Sequence, residues 1–221
     1  MIWHKVLGAG GNVAIEYVGS VTKSANDSSS WDSSGEALDV LSIAQAGDLV
    51  VIAFSFDASS DSTWDWEGMT FSAVYDATGS INPGAYVGYR FVEAEDTNPY
   101  VSGLSGFGEW ADLSIVASVF RNVSSFVGSA NGSSSSGMPN PPGLGAFGGL
   151  WIATGHIDDD VFTNWAAPAN YTLAAYETNG FSARGSSTAV AYRIESLTSD
   201  NPAAFGGSGS DEWRATTVAF D

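Results

Sequence analysis

The chain has 221 residues, enough for one large β domain or two small ones, and carries 25 acids against 7 bases, a formal charge of −18. Such a surface repels phosphate backbones and anionic headgroups, which disfavours nucleic-acid partners and membrane surfaces. Charged residues make up only 14% and there are 26 glycines, so long amphipathic helices lack their charged faces and many short strands fit better; with no cysteine, disulfides and thiolate chemistry are excluded.

The opening "MIWHKVLGAGG" is too short an apolar run for a signal peptide, and no stretch approaches the ~20 apolar residues of a membrane span. The expectation is a protein made in a cytoplasm without export, in which the Asn-x-Ser/Thr matches at Asn26, Asn122, Asn131 and Asn170 are chance. Residues 1–13 read as an arm, with Trp3 and Leu7 as an apolar anchor for docking. Strands are expected at 14–24 and 36–44, with the Ser-rich "SANDSSSWDSS" between them as a loop. Within "GDLVVIAFSFD" (47–57), Leu49–Phe56 reads as continuously apolar, as in a strand buried on both faces. A loop with Trp64 and Trp66 follows, then a strand ending at Tyr75 and the alternating "AYVGYRFVE". Asn98-Pro99 is expected to end that strand, because proline cannot donate to the ladder. Trp110 is expected to open the next strand, with Leu113, Ile115, Ala117 and Val119 on one face.

Much of this text is then written again. "GGLWIATGHID" (148–158) falls on 47–57, Trp165 on Trp64, and Tyr176 on Tyr75, each 101 positions on (165 − 64). Beyond a loop the spacing becomes 103: Tyr192-Arg193 falls on Tyr89-Arg90, Asn201-Pro202 on Asn98-Pro99, and Glu212-Trp213 on Glu109-Trp110, with that spacing expected to hold into the final strand. "RNVSSFVGSA" (121–130) resembles "AIEYVGSVTKS" (14–24), so the apparent linker between copies is expected to begin with an equivalent strand. Copies of this size are marginal alone without staples, and shared burial is the better solution. The expected fold is an all-β, antiparallel, jelly-roll-like sandwich of two pseudo-equivalent halves. It is a single two-lobed unit over 14–221, with copies at about 14–120 and 121–221.

Candidate chemistry is sparse. There are two histidines, His4 and His156, and no Gly-x-Ser-x-Gly elbow. His156 occupies the place of Ser55 in the other copy, so a strand-facing role is expected. "GAGG" and "GGSGS" are followed by strand-like text and do not cradle phosphate. Glu109 and Glu212, each before a Trp, could form a glycosidase pair, but repeated residues more often repeat a structural job; each is expected to pair with Arg90 or Arg193. Asp158, Asp159 and Asp160 could offer oxygens to calcium but lack EF-hand spacing, so neither metal nor cofactor is expected. Trp64, Trp66 and Trp165, with Asp57 and Asp158, have the makings of sugar contact: apolar stacking beside directed hydrogen bonds.

The repeated pattern, "EYVGSVTKS", "QAGDLVVIAFSFD", "VGYRFVEAEDTNP" and "EWADLSIVASVF", with "AVAYRIESLTSDNP" and "EWRATTVAF" in the second copy, resembles tailed-bacteriophage virion proteins. The resemblance covers the chain from about Ile15 to the end and carries no catalytic residue. It implies a non-enzymatic protein on the particle exterior, assembled in a host cytoplasm as a homo-oligomer among other virion proteins. A tail-fibre or tail-tip component touching host-surface carbohydrate is the first reading. Head decoration, a free carbohydrate-binding module and a glycosidase are the alternatives.

Overall fold

A computed structural model describes residues 13–25, 38–56, 69–75, 84–98, 113–158, 164–179, 185–209 and 211–221. Among them ten strands are formed: β1 (Glu16–Ala25), β2 (Leu49–Phe56), β3 (Thr70–Tyr75), β4 (Gly84–Phe91), β5 (Leu113–Arg121), β6 (Phe126–Ser134), β7 (Gly148–Asp158), β8 (Thr172–Asn179), β9 (Ser186–Leu197) and β10 (Trp213–Phe220). They make two five-stranded antiparallel sheets, β1-β5-β2-β4-β3 and β6-β10-β7-β9-β8. The second order is the first with five added to every strand. Each copy of the repeat therefore builds one whole sheet, and the two sheets pack face to face as a sandwich. The path departs from that of a jelly roll: the chain completes one sheet before it begins the other.

Alternation explains the continuously apolar β2 and β7. Leu49, Val51 and Ala53 face the layer between the sheets, where they meet Leu150, Ile152, Val190, Val218 and Phe220. Val50, Ile52, Phe54 and Phe56 point outward, yet they too are buried, with Leu113, Ile115, Ala117 and Val119 of β5. Burial on both faces requires an outer cover, and the topology supplies it. β1 and β2 run the same way with β5 between them, and so do β4 and β5 with β2 between them. Strands of like direction need crossovers. On the first sheet, crossover residues Leu38, Val40 and Val92 bury against the outer face. On the second, Met138, Trp165 and Phe205 do so. The stretch 36–44, expected as a strand, is part of this cover: its described portion holds a 3-10 turn, Val40–Ser42, which buries Val40.

The strand text "SFVGS" is indeed a strand, β6. Its pairing places Phe126 opposite Phe220 as Tyr17 is placed opposite Phe120, and a bulge follows in both copies, before Gly19 and before Gly128. A second bulge is also repeated, between Phe71 and Ala73 in β3 and between Leu173 and Ala175 in β8. Two features of the sequence alignment shift. Val74, not Tyr75, occupies the pairing position of Tyr176, opposite Tyr86 and Ala189 respectively, so the spacing there is 102 (176 − 74). In the last strand Leu113 pairs with Phe56 as Trp213 pairs with Ile157, a spacing of 100 (213 − 113). Trp213 thus takes the place of Leu113. Trp110 lies outside the described residues, before β5 begins.

Candidate functional site

The layer between the sheets is apolar at one end and polar at the other. The apolar end holds two aromatic clasps related by the repeat. Tyr17 stacks on Tyr192 at 4.6 Å, with Phe120 edge-on to Tyr192 at 5.5 Å; Phe126 stacks on Tyr89 at 5.0 Å, with Phe220 edge-on to Tyr89 at 5.2 Å. Each clasp joins a residue of one sheet to a residue of the other, in geometries that ring quadrupoles favour. Tyr17 also donates its hydroxyl to the Ala174 carbonyl across the sheets, at 3.1 Å.

The polar end lies where β2 and β7 finish. Ser55 of β2, Ser114 of β5 and Thr188 of β9 form a closed triangle of hydroxyls, 2.7 to 2.9 Å apart. Ser186 adds its hydroxyl to the Ser55 carbonyl at 3.2 Å. His156 extends the network, with Nδ1 3.4 Å from Thr188 Oγ1 and Nε2 3.3 Å from Thr154 Oγ1. Burial alone holds the imidazole pKa down to about 3, because enclosure penalises the charged form. His156 is therefore neutral at ordinary pH, and its nitrogens face hydroxyls. Ser55, Ser114, Thr188 and His156 are completely enclosed. A serine, a threonine and a histidine in line invite a reading as a nucleophile and base. But they are enclosed, and they satisfy one another's hydrogen bonds. The arrangement can seal this end and fix sheet against sheet. Sequence reasoning placed His156 on a strand and missed the cluster; the available signal was the polar text "SST" (186–188) opening an otherwise apolar strand.

Of the expected sugar-contact residues, Trp165 and Asp158 fall among the described ones. Trp165 is 5% exposed. Its ring lies edge-on to Phe205 at 5.2 Å, and its Nε1 donates to Ser187 Oγ at 2.7 Å. The cause lies in the second sheet's outer face. Where the first sheet carries Ile52, Phe54 and Tyr86, the register of the second puts Ala153, Gly155 and Ala189. A Cβ on Gly155 would stand 2.8 Å from the Trp165 ring. Trp165 fills a space that small residues leave, and this takes it out of the sugar-stacking set. Asp158 ends β7, half-buried, and its N–H donates to the Glu212 carbonyl at 3.0 Å. Among the described residues no group of three or more His, Cys, Asp or Glu is placed to hold a metal ion. Asp57, Trp64, Trp66, Glu109, Asp159 and Asp160, and the arm residues Trp3 and Leu7, lie outside the described residues.

Both repeated arginines pair with carboxylates; those of Arg193 are not the expected Glu212, while Glu109 lies outside the described residues. Arg90 forks onto Asp96, whose carboxyl that contact holds below its ordinary pKa. Arg193 meets Glu195 and Asp200 rather than Glu212. Asp200 in turn accepts a 2.6 Å bond from the Tyr171 hydroxyl, whose pKa rises through burial first and that carboxylate second. A third fork escaped the sequence reading: Arg121 grips Asp48 through Nε at 2.9 Å and a terminal nitrogen at 2.8 Å. Asp48 is 1% exposed and also accepts from the Gln45 N–H, beside Gly47 in the left-handed region at φ 92°. Nor does Asn-Pro end its strand, since β4 stops at Phe91 and β9 at Leu197. Instead Asn98 ties two crossovers together, accepting from the Leu41 N–H at 2.8 Å and donating to Asp39 at 3.0 Å. In the second copy Asp200 and Leu144 exchange backbone bonds at the corresponding place.

The fold is thus an antiparallel β-sandwich of two topologically identical sheets. No family model matches the chain, and neither a curated protein nor a solved structure does.

Proposed function

We propose that this chain is a non-enzymatic structural protein on the exterior of a tailed-phage particle, most simply a tail-fibre or tail-tip component that touches host-surface glycan. It joins other virion proteins through residues 1–13. What supports this reading is the employment of the repeated text. In both copies "YVGS" and "FVGS" supply bulged edge strands and clasp aromatics and "YR" a clasp and an ion pair; in the first copy "AGDLVV" adds a tight turn and a buried carboxylate clamp, and "NP" a junction of crossovers. Each recurring element holds sheets and covers together. These are the demands on a rigid module that displays loops.

Within that reading the glycan contact falls to Trp64 and Trp66 with Asp57. In the first sheet, Phe54 and Tyr86 stack at 4.9 Å at the places that Gly155 and Ala189 hold in the second. The test is a glycan array followed by labelling of intact particles. Trp64→Ala should abolish binding of the array hits with the melting temperature unchanged, and antibody to the chain should decorate particle tails. Decoration of heads moves the protein to capsid decoration. No labelling of particles, with glycan binding intact, leaves a free carbohydrate-binding module.

A further inference from the structure

The two sheets are joined by one connection, residues 122–125, which links β5 to β6 at the apolar end. Among the described residues, every strand before it belongs to one sheet and every strand after it to the other. Each half has its own outer core, one built from Leu38, Phe54 and Tyr86, the other from Trp165, Phe205 and Trp213. Only the inner faces depend on each other, and that dependence is two-fold in character. β1 faces β8 as β6 faces β3, and the Tyr17–Tyr192 clasp answers the Phe126–Tyr89 clasp. The connection is held back in a bend: Asn122 sits in the left-handed region at φ 62°, and the Ser124 and Ser125 N–H groups donate to the Asp221 carbonyl. Left-handed backbone disfavours any residue with a Cβ, asparagine less than most.

We propose that two copies of this chain pair by exchanging sheets, the inner face of the first sheet in each chain closing on the second sheet of the other. The surface that such a partner must offer is known to fit, because the chain's own second half already occupies it. A second copy brings that same surface, with the same clasps and the same hydroxyl triangle. Exchange requires the bend at 122–125 to straighten as Asn122 leaves its left-handed conformation, which gives up the Asn122 bond to the Ala14 carbonyl and the seat of Val123 between the sheets. The paired form is isologous, as the internal interface nearly is already, and it needs nothing from the proposed function.

The chain has no cysteine, so an engineered pair reports the connectivity without background. Ser55 Oγ and Thr188 Oγ1 are 2.7 Å apart across the sheets. In full-length Ser55→Cys/Thr188→Cys, the dimer isolated at high concentration and then oxidised in dilution should run as two covalently joined chains on a non-reducing gel. Ser114→Cys/Thr188→Cys should give the same result from a second position. Asn122→Val, which a left-handed backbone penalises, should raise the dimerisation constant in sedimentation experiments by at least about tenfold. Asn122→Gly should lower it. A dimer whose disulfides stay within single chains overturns the proposal. So does a chain that remains monomeric at millimolar concentration both as Asn122→Val and with Ser124 and Ser125 deleted. If the valine variant does not fold, the cysteine pairs and the deletion still decide.

Discussion

His156 and Ser55 occupy equivalent places in the two halves and meet through Thr188 in the middle of the sandwich. The histidine is stable there only uncharged. Its folded pKa, about 3, lies below its ordinary 6.5, so between those values the unfolded chain binds the proton that the folded chain refuses. Stability from this residue is therefore complete above pH 6.5 and falls as pH drops toward 3, by up to about 1.4 kcal/mol per pH unit. Denaturant titrations at several pH values should show that slope in the wild type. In His156→Ser the slope should shrink, leaving only the carboxylates to act in the same direction. Trp165 makes a companion case. Trp165→Ala removes a filled volume over Gly155 and should cost roughly 3–5 kcal/mol in equilibrium unfolding. Gly155→Ala drives a Cβ into the same ring and should lower the melting temperature as well. A Trp165→Ala protein of normal stability would contradict the packing described for it.

At the scale of elements, the crossovers matter as much as the strands. Asn98 binds Leu41 and Asp39 on the outside of the first sheet. Asn98→Ala should cost about 1 kcal/mol and should speed hydrogen exchange at the Leu41 amide, while the amides of β2 stay protected. This use of asparagine shows where sequence reading reaches and where it stops. A kept Asn-Pro signals a constrained backbone but not what the side chain holds, since Leu41 and Asp39 lie 57 and 59 residues away. Alternation was legible wherever one strand decides it, as in Leu113, Ile115, Ala117 and Val119. The strand at Phe126 was legible because its text repeats that around Tyr17. Register in the last strand was not. The matching "EW" pairs suggest that Trp213 succeeds Trp110, yet pairing to the neighbouring strand gives it the place of Leu113. A short loop difference preserves such text while moving the strand, and only the hydrogen-bonded partner fixes the face. Small residues misled in the same way. Ala153, Gly155 and Ala189 reveal a large neighbour only once Trp165 is seen above them. The hydroxyl cluster was hidden because serines and threonines abound in this chain, and only three-dimensional assembly brings four of its strands to one point.

For the whole molecule, charge is the strongest influence beyond packing. Twenty-five acids against seven bases repel one another in the compact state, and at least three of the arginines are already committed to carboxylates on their own sheet. Added salt screens long-range repulsion more than it weakens these close pairs. The melting temperature should therefore rise between low salt and about 0.5 M sodium chloride, and differential scanning calorimetry would show it; a fall would mean that the ion pairs outweigh the repulsion.

The completion of one sheet before the next is begun also bears on how the protein is made. A ribosome releases the first sheet, with its cover, while its inner face still has no counterpart. Phe220 closes β10, the last of the ten strands in chain order. Until it emerges, Leu49, Val51, Val87, Val116 and Phe120 remain an uncovered apolar plate on a nascent chain. Synthesis thus passes through a half-built stage with an exposed surface, and the chaperone demand of this protein should be concentrated in the time needed to translate its second hundred residues.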